Sequence, residues 1–372
     1  MKKIILSLLL LFPLTACNIN NDPKSFSFKL ANLGENVDFH TELQAKYIAS
    51  EDYTTTMGIA SGSTSKEYPL PVRLSFTGSP NNKVAAKNYI IDVYEETNKQ
   101  KAIISKECDD NGGLDVYNLK INTNYSYQVT AVYASGKAFT SQESHFKTVN
   151  KGPRNLYVEN VMNIRDLGGK GIKQGLIYRS GRFNENDGTT NITDNTINTM
   201  VNELGVKTEI DLRRADESGG ITASPLGEKV KYYHLPMYYG GENVLTFVGE
   251  RSGVAYDNPA RIKEFFNILG DANNYPIDFH CAIGKDRTGC MAYLIGALCG
   301  VEEEYLYRDY LFSNFAKISG MCDVKDIDDR YGATIKEYEG ATLKEKTINY
   351  LNQVIGVETS VLNNISNILV GE

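Results

Sequence analysis

Residues Tyr275-Pro276-Ile277-Asp278-Phe279-His280-Cys281-Ala282-Ile283-Gly284-Lys285-Asp286-Arg287-Thr288-Gly289 hold the pattern from which the rest of the chain can be read. Residues 275–280 have the apolar, β-prone composition of a short strand. Thr288 to Cys299 carries Met291, Leu294, Ile295 and Leu298 at helical spacing, with Gly300 at the position that ends a helix. Between strand and helix, Cys281 and Arg287 are separated by five intervening residues. A strand, a tight loop and a helix N-terminus together make an anion site, because unpaired backbone N–H groups and the positive end of the helix dipole converge there. The guanidinium of Arg287 adds a planar fork for two anion oxygens. In that field the Cys281 thiol should ionise well below its free pKa of about 8.5 and become a nucleophile.

Upstream of this loop, strands and amphipathic helices alternate from Lys151-Gly152-Pro153 onward, with residues 192–204 helical and 206–212 a strand. That alternation predicts an α/β domain over residues 151–372, a central sheet flanked by helices. Residues 26–150 differ. Val72 to Phe76, Tyr89 to Tyr94 and Tyr125 to Tyr133 are short runs rich in β-branched and aromatic residues between turn signals, and the last alternates with period two. This half predicts an all-β sandwich. Residues 119–133 with Ser144-His145-Phe146-Lys147-Thr148 are similar to the last strands of a fibronectin type III domain, a likeness covering about residues 68–149. Residues 26–67 read either as an extra β segment or as a poorly ordered one.

Length and composition agree with two domains. The chain has 372 residues, 41% of them hydrophobic and 23% charged, against roughly 100 to 200 residues per domain. The net charge of -7 argues against a nucleic-acid binder, which would carry a basic stripe. Met1-Lys2-Lys3 and the apolar run from Ile4 to Leu14 form a signal-like segment over residues 1–16. Leu14-Thr15-Ala16-Cys17 resembles the lipobox of bacterial lipoproteins, which implies cleavage before Cys17 and lipidation of its sulfur; the alternative is a plain secretory signal beside a chance cysteine. Residues 17–25, polar and containing Pro23, read as a tether, and the protein is expected on the extracytoplasmic face of the cell membrane, held by lipid.

The loop His280-Cys281-Ala282-Ile283-Gly284-Lys285-Asp286-Arg287-Thr288-Gly289 resembles the signature of cysteine-dependent tyrosine and dual-specificity phosphatases. Its Gly-Lys-Asp-Arg-Thr-Gly ending looks like that of a bacterial tyrosine phosphatase family with phosphoinositide-active members. Three further runs support the likeness: Asn163-Ile164-Arg165-Asp166-Leu167-Gly168-Gly169, Tyr178-Arg179-Ser180-Gly181, and Asp211-Leu212-Arg213 with Glu217 beyond it. The resemblance covers about residues 156–369. It implies attack by Cys281 on a phosphomonoester, with Arg287 and the backbone of Ala282, Ile283, Gly284, Lys285, Thr288 and Gly289 holding the phosphate, and with no metal or cofactor. Thr288 would help the sulfur to depart, and His280 would fix the loop.

The large tyrosine phosphatases take their acid from a Trp-Pro-Asp loop, and this chain has no Trp. The acid must come from elsewhere, and the resemblance to the family's own loop implies Asp286, with Asp211 second; a structural role for Asp286 stays open. Arg165, Asp166 and Arg213 are either substrate contacts or ion pairs beneath the site. Lys285 suits a phosphoinositide as well as a phosphoprotein, and an inositol-polyphosphate phosphatase of phytase type is a lesser alternative. Two other classes remain: a surface binding lipoprotein with a phosphatase-like scaffold, and a rhodanese-type sulfurtransferase. The partner of the β-sandwich, if it is more than a spacer, is not indicated. Cys290 and Cys299 lie nine residues apart on one helix and so cannot bridge each other.

Overall fold

The computed structural model describes residues 22–56, 68–108, 112–185, 188–316, 318 and 321–371. They divide into two units: the first holds the described residues up to Gly34 with Arg73–Asp115 and Asn124–Lys147, the second Glu35–Val72, Val116–Thr123 and Thr148–Glu372. The expected signal segment, residues 1–16, and Cys17 lie outside the described residues. Among the described residues, no helix is long and apolar enough to cross a membrane.

In the first unit, Tyr125, Tyr127, Val129 and Ala131 are buried along Asn124–Val132, as period-two alternation requires. This strand pairs antiparallel with Asn88–Glu95, Ala138–Thr140 and Ser144–Thr148, and Asn88–Glu95 pairs in turn with Ile104–Cys108. A second sheet takes Phe26–Leu30, Val72–Pro80 and Gly113–Val116 in that order. The Tyr127 hydroxyl donates to the Ala31 and Ser75 carbonyls at 2.9 and 3.2 Å, which satisfies a phenol buried between strands. Of the expected tether, residues 17–25, only 22–25 lie within the described residues; there Pro23 is buried, its carbonyl accepts from Lys137 Nζ at 2.7 Å, and the Lys24 N–H donates to Asn81 Oδ1 at 2.9 Å.

The second unit is built on a six-stranded sheet in the order Arg154–Asn155, Arg165–Asp166, Ile177–Ser180, Ile277–His280, Thr208–Asp211, Lys231–His234. The last four strands are parallel. Alternate residues of one strand enter different cores: Ile177 packs with Phe265, Phe279 and Leu294, while Tyr178 packs with Leu156, Met200 and Leu204. A parallel sheet covered on both faces follows. The helix Asp286–Leu298 is buried at every residue from Arg287 on, so its apolar face is not one stripe but the whole cylinder. Gly289 lets the helix Glu303–Phe312 come close, since a Cβ there would stand 2.7 Å from the Tyr310 ring. Gly300, at φ +75°, ends the helix as expected.

The boundary between units is not where composition put it. Residues 26–37 do supply extra strands, Phe26–Leu30 and Gly34–Val37, the second at the edge of the sheet next to Ser144–Thr148, but residues 38–56 continue differently. They carry a helix, Glu42–Ile48, opened by a capping box in which Thr41 and Gln44 exchange bonds of 3.1 and 3.3 Å. Tyr47 is fully buried in the core of the second unit. Arg308 donates to the Tyr47 and Ser50 carbonyls at 3.0 and 2.7 Å, and Asn314 to Thr56 Oγ1 at 2.6 Å. Short helices gain most of their stability from packing, and here that packing comes from residues far along the chain. Replacing Tyr47 with Ala should cost the second unit about 3–5 kcal/mol, the range for emptying an aromatic core site. A thermal unfolding profile unchanged by Tyr47→Ala would refute this.

Candidate active site

Four parallel strands end together at Ser180, His280, Asp211 and His234, which are in register. Ligands of open α/β sheets bind beyond the carboxyl ends of such strands, and Cys281 is the next residue of the central strand. The loop turns at Gly284, where φ is +69° and a Cβ would meet the Ser180 carbonyl at 2.6 Å, so only glycine fits. The helix starts at Asp286 with Lys285 as its N-cap. None of the N–H groups from Ala282 to Arg287 donates to another backbone carbonyl among the described residues.

The carbonyls of this loop, by contrast, are held from behind. Asn163 Nδ2 donates to the Ile283 and Gly284 carbonyls, both at 3.0 Å. Arg179 Nη2 donates to the Gly284 carbonyl at 2.6 Å and Arg182 Nη1 to that of Ala282 at 3.2 Å. Arg179 is shared in turn with Asp309, which also accepts from Arg165 Nε at 2.7 Å. Burial and the neighbouring Arg179 cation push the pKa of Arg165 down to about 10.

Cys281 is 2% exposed. Burial alone would push its thiol up, but the Arg287 cation and hydrogen bonds from the Thr288 hydroxyl and N–H outweigh that and bring it below the ordinary value. Thr288 Oγ1 is buried with no other hydrogen-bond partner and is left to the sulfur. Arg287 is anchored by Nη1, which donates to Glu217 Oε2 at 2.6 Å and to the Leu212 and Met237 carbonyls at 3.3 Å. Its Nε is a buried donor without a partner among the described residues, which a bound anion would satisfy. Asp286 has the opposite tendency to the cysteine. Burial raises its carboxyl pKa, and Lys285, Tyr239 and Arg287 only partly offset this.

Asp211 is fully buried and accepts from the Arg213 N–H, from Arg213 Nε and Nη2 and from the Tyr232 hydroxyl, all at 2.7–3.0 Å. Burial opposes its ionisation, yet His280 and Arg213 hold the carboxyl well below the usual range. Such a group holds no proton to give. Arg213 also donates to Asn184; Arg165 spends its donors on Asp309, Asn163 and Ser313; Asp166 accepts from Arg154 and from the Gly168 and Gly175 N–H groups. All three side chains thus make their hydrogen bonds inside the protein. Lys285 Nζ donates to the Met321 carbonyl at 2.7 Å and lies 4.0 and 3.9 Å from Asp286 and Asp326. Gly289 serves the packing against Tyr310, as described above. No disulfide joins the described cysteines, Cys290 and Cys299 included.

His280 Nε2 meets Glu209 Oε1 at 3.0 Å and Nδ1 lies 3.8 Å from Asp211. Burial would lower its pKa, but Asp211 and Glu209 raise it to about 9. Glu209 itself, together with Asn163, Arg179, Asp309, Tyr239 and Arg330, was given no role by the residue pattern. A histidine whose folded pKa is raised contributes stability that is complete below its unfolded value of about 6.5 and is lost as pH rises through about 9. The melting temperature should thus fall across that window, and Glu209→Gln should flatten the fall. Parallel slopes for the two proteins would contradict the assignment.

Among known proteins, the sequence pattern of the Tyrosine phosphatase family matches residues 156–370. A Cupriavidus necator protein described as a candidate tyrosine-protein phosphatase is 29% identical over 187 residues, covering 44% of this chain and 64% of that protein. A tyrosine-protein phosphatase of Nostoc commune is 31% identical over 124 residues, covering 30% and 41%. The chain therefore spans less than two thirds of either relative. Two solved structures are also similar. The catalytic core of the PP-IP phosphatase Siw14 from S. cerevisiae has TM-score 0.31 and 16% identity, covering 53% of this chain and 96% of that one. P. aeruginosa TpbA has TM-score 0.30 and 17% identity, covering 50% and 92%.

Proposed function

Since the chain belongs to the tyrosine phosphatase family over residues 156–370, we propose that it hydrolyses phosphomonoesters through a phosphocysteine, with phosphotyrosine in proteins as the first substrate class. The observation that carries this is the pairing of a buried cysteine whose thiol is shifted down with an Arg287 whose buried Nε has no partner among the described residues. In the first step Cys281 Sγ bonds to phosphorus while the ester P–O bond breaks, and the leaving oxygen takes a proton from Asp286. Water then attacks the phosphocysteine, the Asp286 carboxylate takes its proton, and the S–P bond breaks with the Thr288 hydroxyl supporting the thiolate. The N–H groups of Ala282 to Arg287 and the guanidinium hold the equatorial oxygens throughout. Such a loose transition state asks mainly for positioning and charge.

A phosphoinositide or inositol polyphosphate would need positive charge beyond the loop. Lys285, the residue expected to supply it, is engaged by the Met321 carbonyl and two carboxylates, which favours the phosphotyrosine reading. Cys281→Ser should abolish phosphate release from a phosphotyrosine peptide and from phosphoinositides alike. Asp286→Asn should lower turnover of phosphotyrosine by about 10²-fold or more and of an ester with a good leaving group far less; equal losses would move the acid elsewhere. Phosphate release surviving Cys281→Ser would defeat the mechanism, and no release from the unaltered protein would leave the binding-protein or sulfurtransferase reading.

We read the first unit as a fibronectin type III-like module that acts as a spacer or docking element, and Cys17 as the lipid anchor on the extracytoplasmic face. The lipobox-like run Leu14-Thr15-Ala16-Cys17 supports the anchor. Cys17→Ser should move the protein from the membrane fraction to the soluble one; a variant that still sediments with membranes would sink that reading.

A further inference from the structure

Between the helices Asp286–Leu298 and Glu303–Phe312 and the turn that follows Arg165–Asp166 lies a cleft with about 590 Å³ of empty space, part of it open to solvent. Every residue that lines it belongs to the second unit, and neither Cys281 nor Arg287 is among them. Its walls are mostly apolar, with Ile121, Pro153, Ile172, Val301 and Leu306 supplying most of the side chains. Two glycines keep it open. A Cβ on Gly169, at φ +102°, would stand 2.9 Å from Ile121 Cδ1, and one on Gly296 would stand 2.4 Å from Leu306 Cδ2, so neither position can carry a side chain that fills the space.

The charged residues along the cleft differ in how far they are engaged. Asp166 accepts from Arg154 and from the Gly168 and Gly175 N–H groups, and Asp309 is shared by Arg165 and Arg179. Each carboxylate is thus balanced by a guanidinium within the protein. Arg308 gives its donors to Glu304 and to the Tyr47 and Ser50 carbonyls. Lys170 is different: its ammonium has no hydrogen bond or ion pair among the described residues and lies 4.8 Å from the centroid of the Tyr305 ring, which also lines the cleft. The backbone holds it there. Gly169 and Ile172 exchange bonds of 2.7 and 3.0 Å around Lys170 and Gly171, at φ +44° and +101°, the geometry of a tight two-residue turn. Few well-placed polar groups in an otherwise apolar cleft are what orient a small ligand.

We propose that this cleft binds a small amphipathic monoanion, a carboxylate bearing an alkyl chain, with the carboxylate at Lys170 Nζ and the chain against Ile172, Val301 and Leu306. The sign of the head follows from Lys170, since a cationic head would face an unpaired ammonium and a neutral one would gain only the apolar walls. A single charge follows from the rest of the lining, which offers no second unengaged cation among the described residues. The ligand is held and not turned over. The site does not depend on the phosphatase reading, because none of its groups touches the reacting atoms.

The test uses the full chain, with octanoate as the probe and octanol and octylammonium as controls, in titration calorimetry and ligand-observed NMR. Octanoate should bind about threefold to fivefold more tightly than octanol, the range for a partly exposed charge pair, and octylammonium more weakly than either. Lys170→Ala should bring octanoate down to the affinity of octanol and leave octanol unchanged. Lys170→Glu should invert the preference, so that octylammonium binds better than octanoate. Val301→Phe, which places a ring in the cleft at a half-buried position, should weaken octanoate and octanol together. Thermal unfolding shows whether each variant is folded like the parent, and the two Lys170 variants carry the test if Val301→Phe is not. No binding of octanoate, equal affinity of the parent for octanoate and octanol, or a preference that Lys170→Glu leaves in place would each overturn the proposal.

Discussion

A loop that reserves its N–H groups for an anion must have its carbonyls satisfied from the other side, and the second unit is arranged around that demand. Asn163, Arg179 and Arg182 reach the carbonyls of Ala282, Ile283 and Gly284, so the peptide planes are turned with their donors toward the site. Without those ties the loop could relax by flipping a peptide, and the anion would lose a donor. Asp309 then balances Arg165 and Arg179. Breaking a buried ion pair leaves an uncompensated charge, which costs far more than the pair gains, so the backing of the loop is rigid even if its net contribution to stability is small.

The same logic separates the three carboxylates around the sheet ends. Asp211 is surrounded by donors and stays ionised; Glu209 serves His280; Asp286, at the helix start, is half-buried, with its Oδ1 atom buried and unpartnered among the described residues. Environments that drive similar groups apart in pKa are what allow one to act as an acid while another stays an anion. The cysteine completes the pattern, because burial works against its charge while Arg287 and Thr288 work for it.

The loop His280 to Gly289 was legible because anion chemistry needs a strand end, a glycine turn and a helix start within a few residues. Asn124–Val132 was legible through alternation, and Ser144–Thr148 through the likeness of this stretch to the last strands of a β-domain. Arg165, Asp166 and Arg213 were left between two roles because only a count of their bonds bears on the choice, and each makes its hydrogen bonds inside the protein. Tyr239, Arg330 and Asp309 carried no local signal: the first two meet across 91 residues and Arg165 meets Asp309 across 144. The helix Glu42–Ile48 was missed although Thr41 and Gln44 carry a capping-box signature, since its one deeply buried aromatic, Tyr47, gave too little periodicity to read.

That helix has a consequence for how the polypeptide is made. Its carbonyl partner Arg308 lies 261 residues downstream of Tyr47, so during synthesis the segment emerges long before anything exists to receive it. Most of the first unit, Arg73–Asp115 and Asn124–Lys147, is encoded in between and pairs over short separations, so it can mature while the helix Glu42–Ile48 waits for its core. Loop closure over such a span is slow relative to local pairing. An early product therefore carries an aromatic residue in search of a core, a natural site for a chaperone to hold until the last third of the chain arrives.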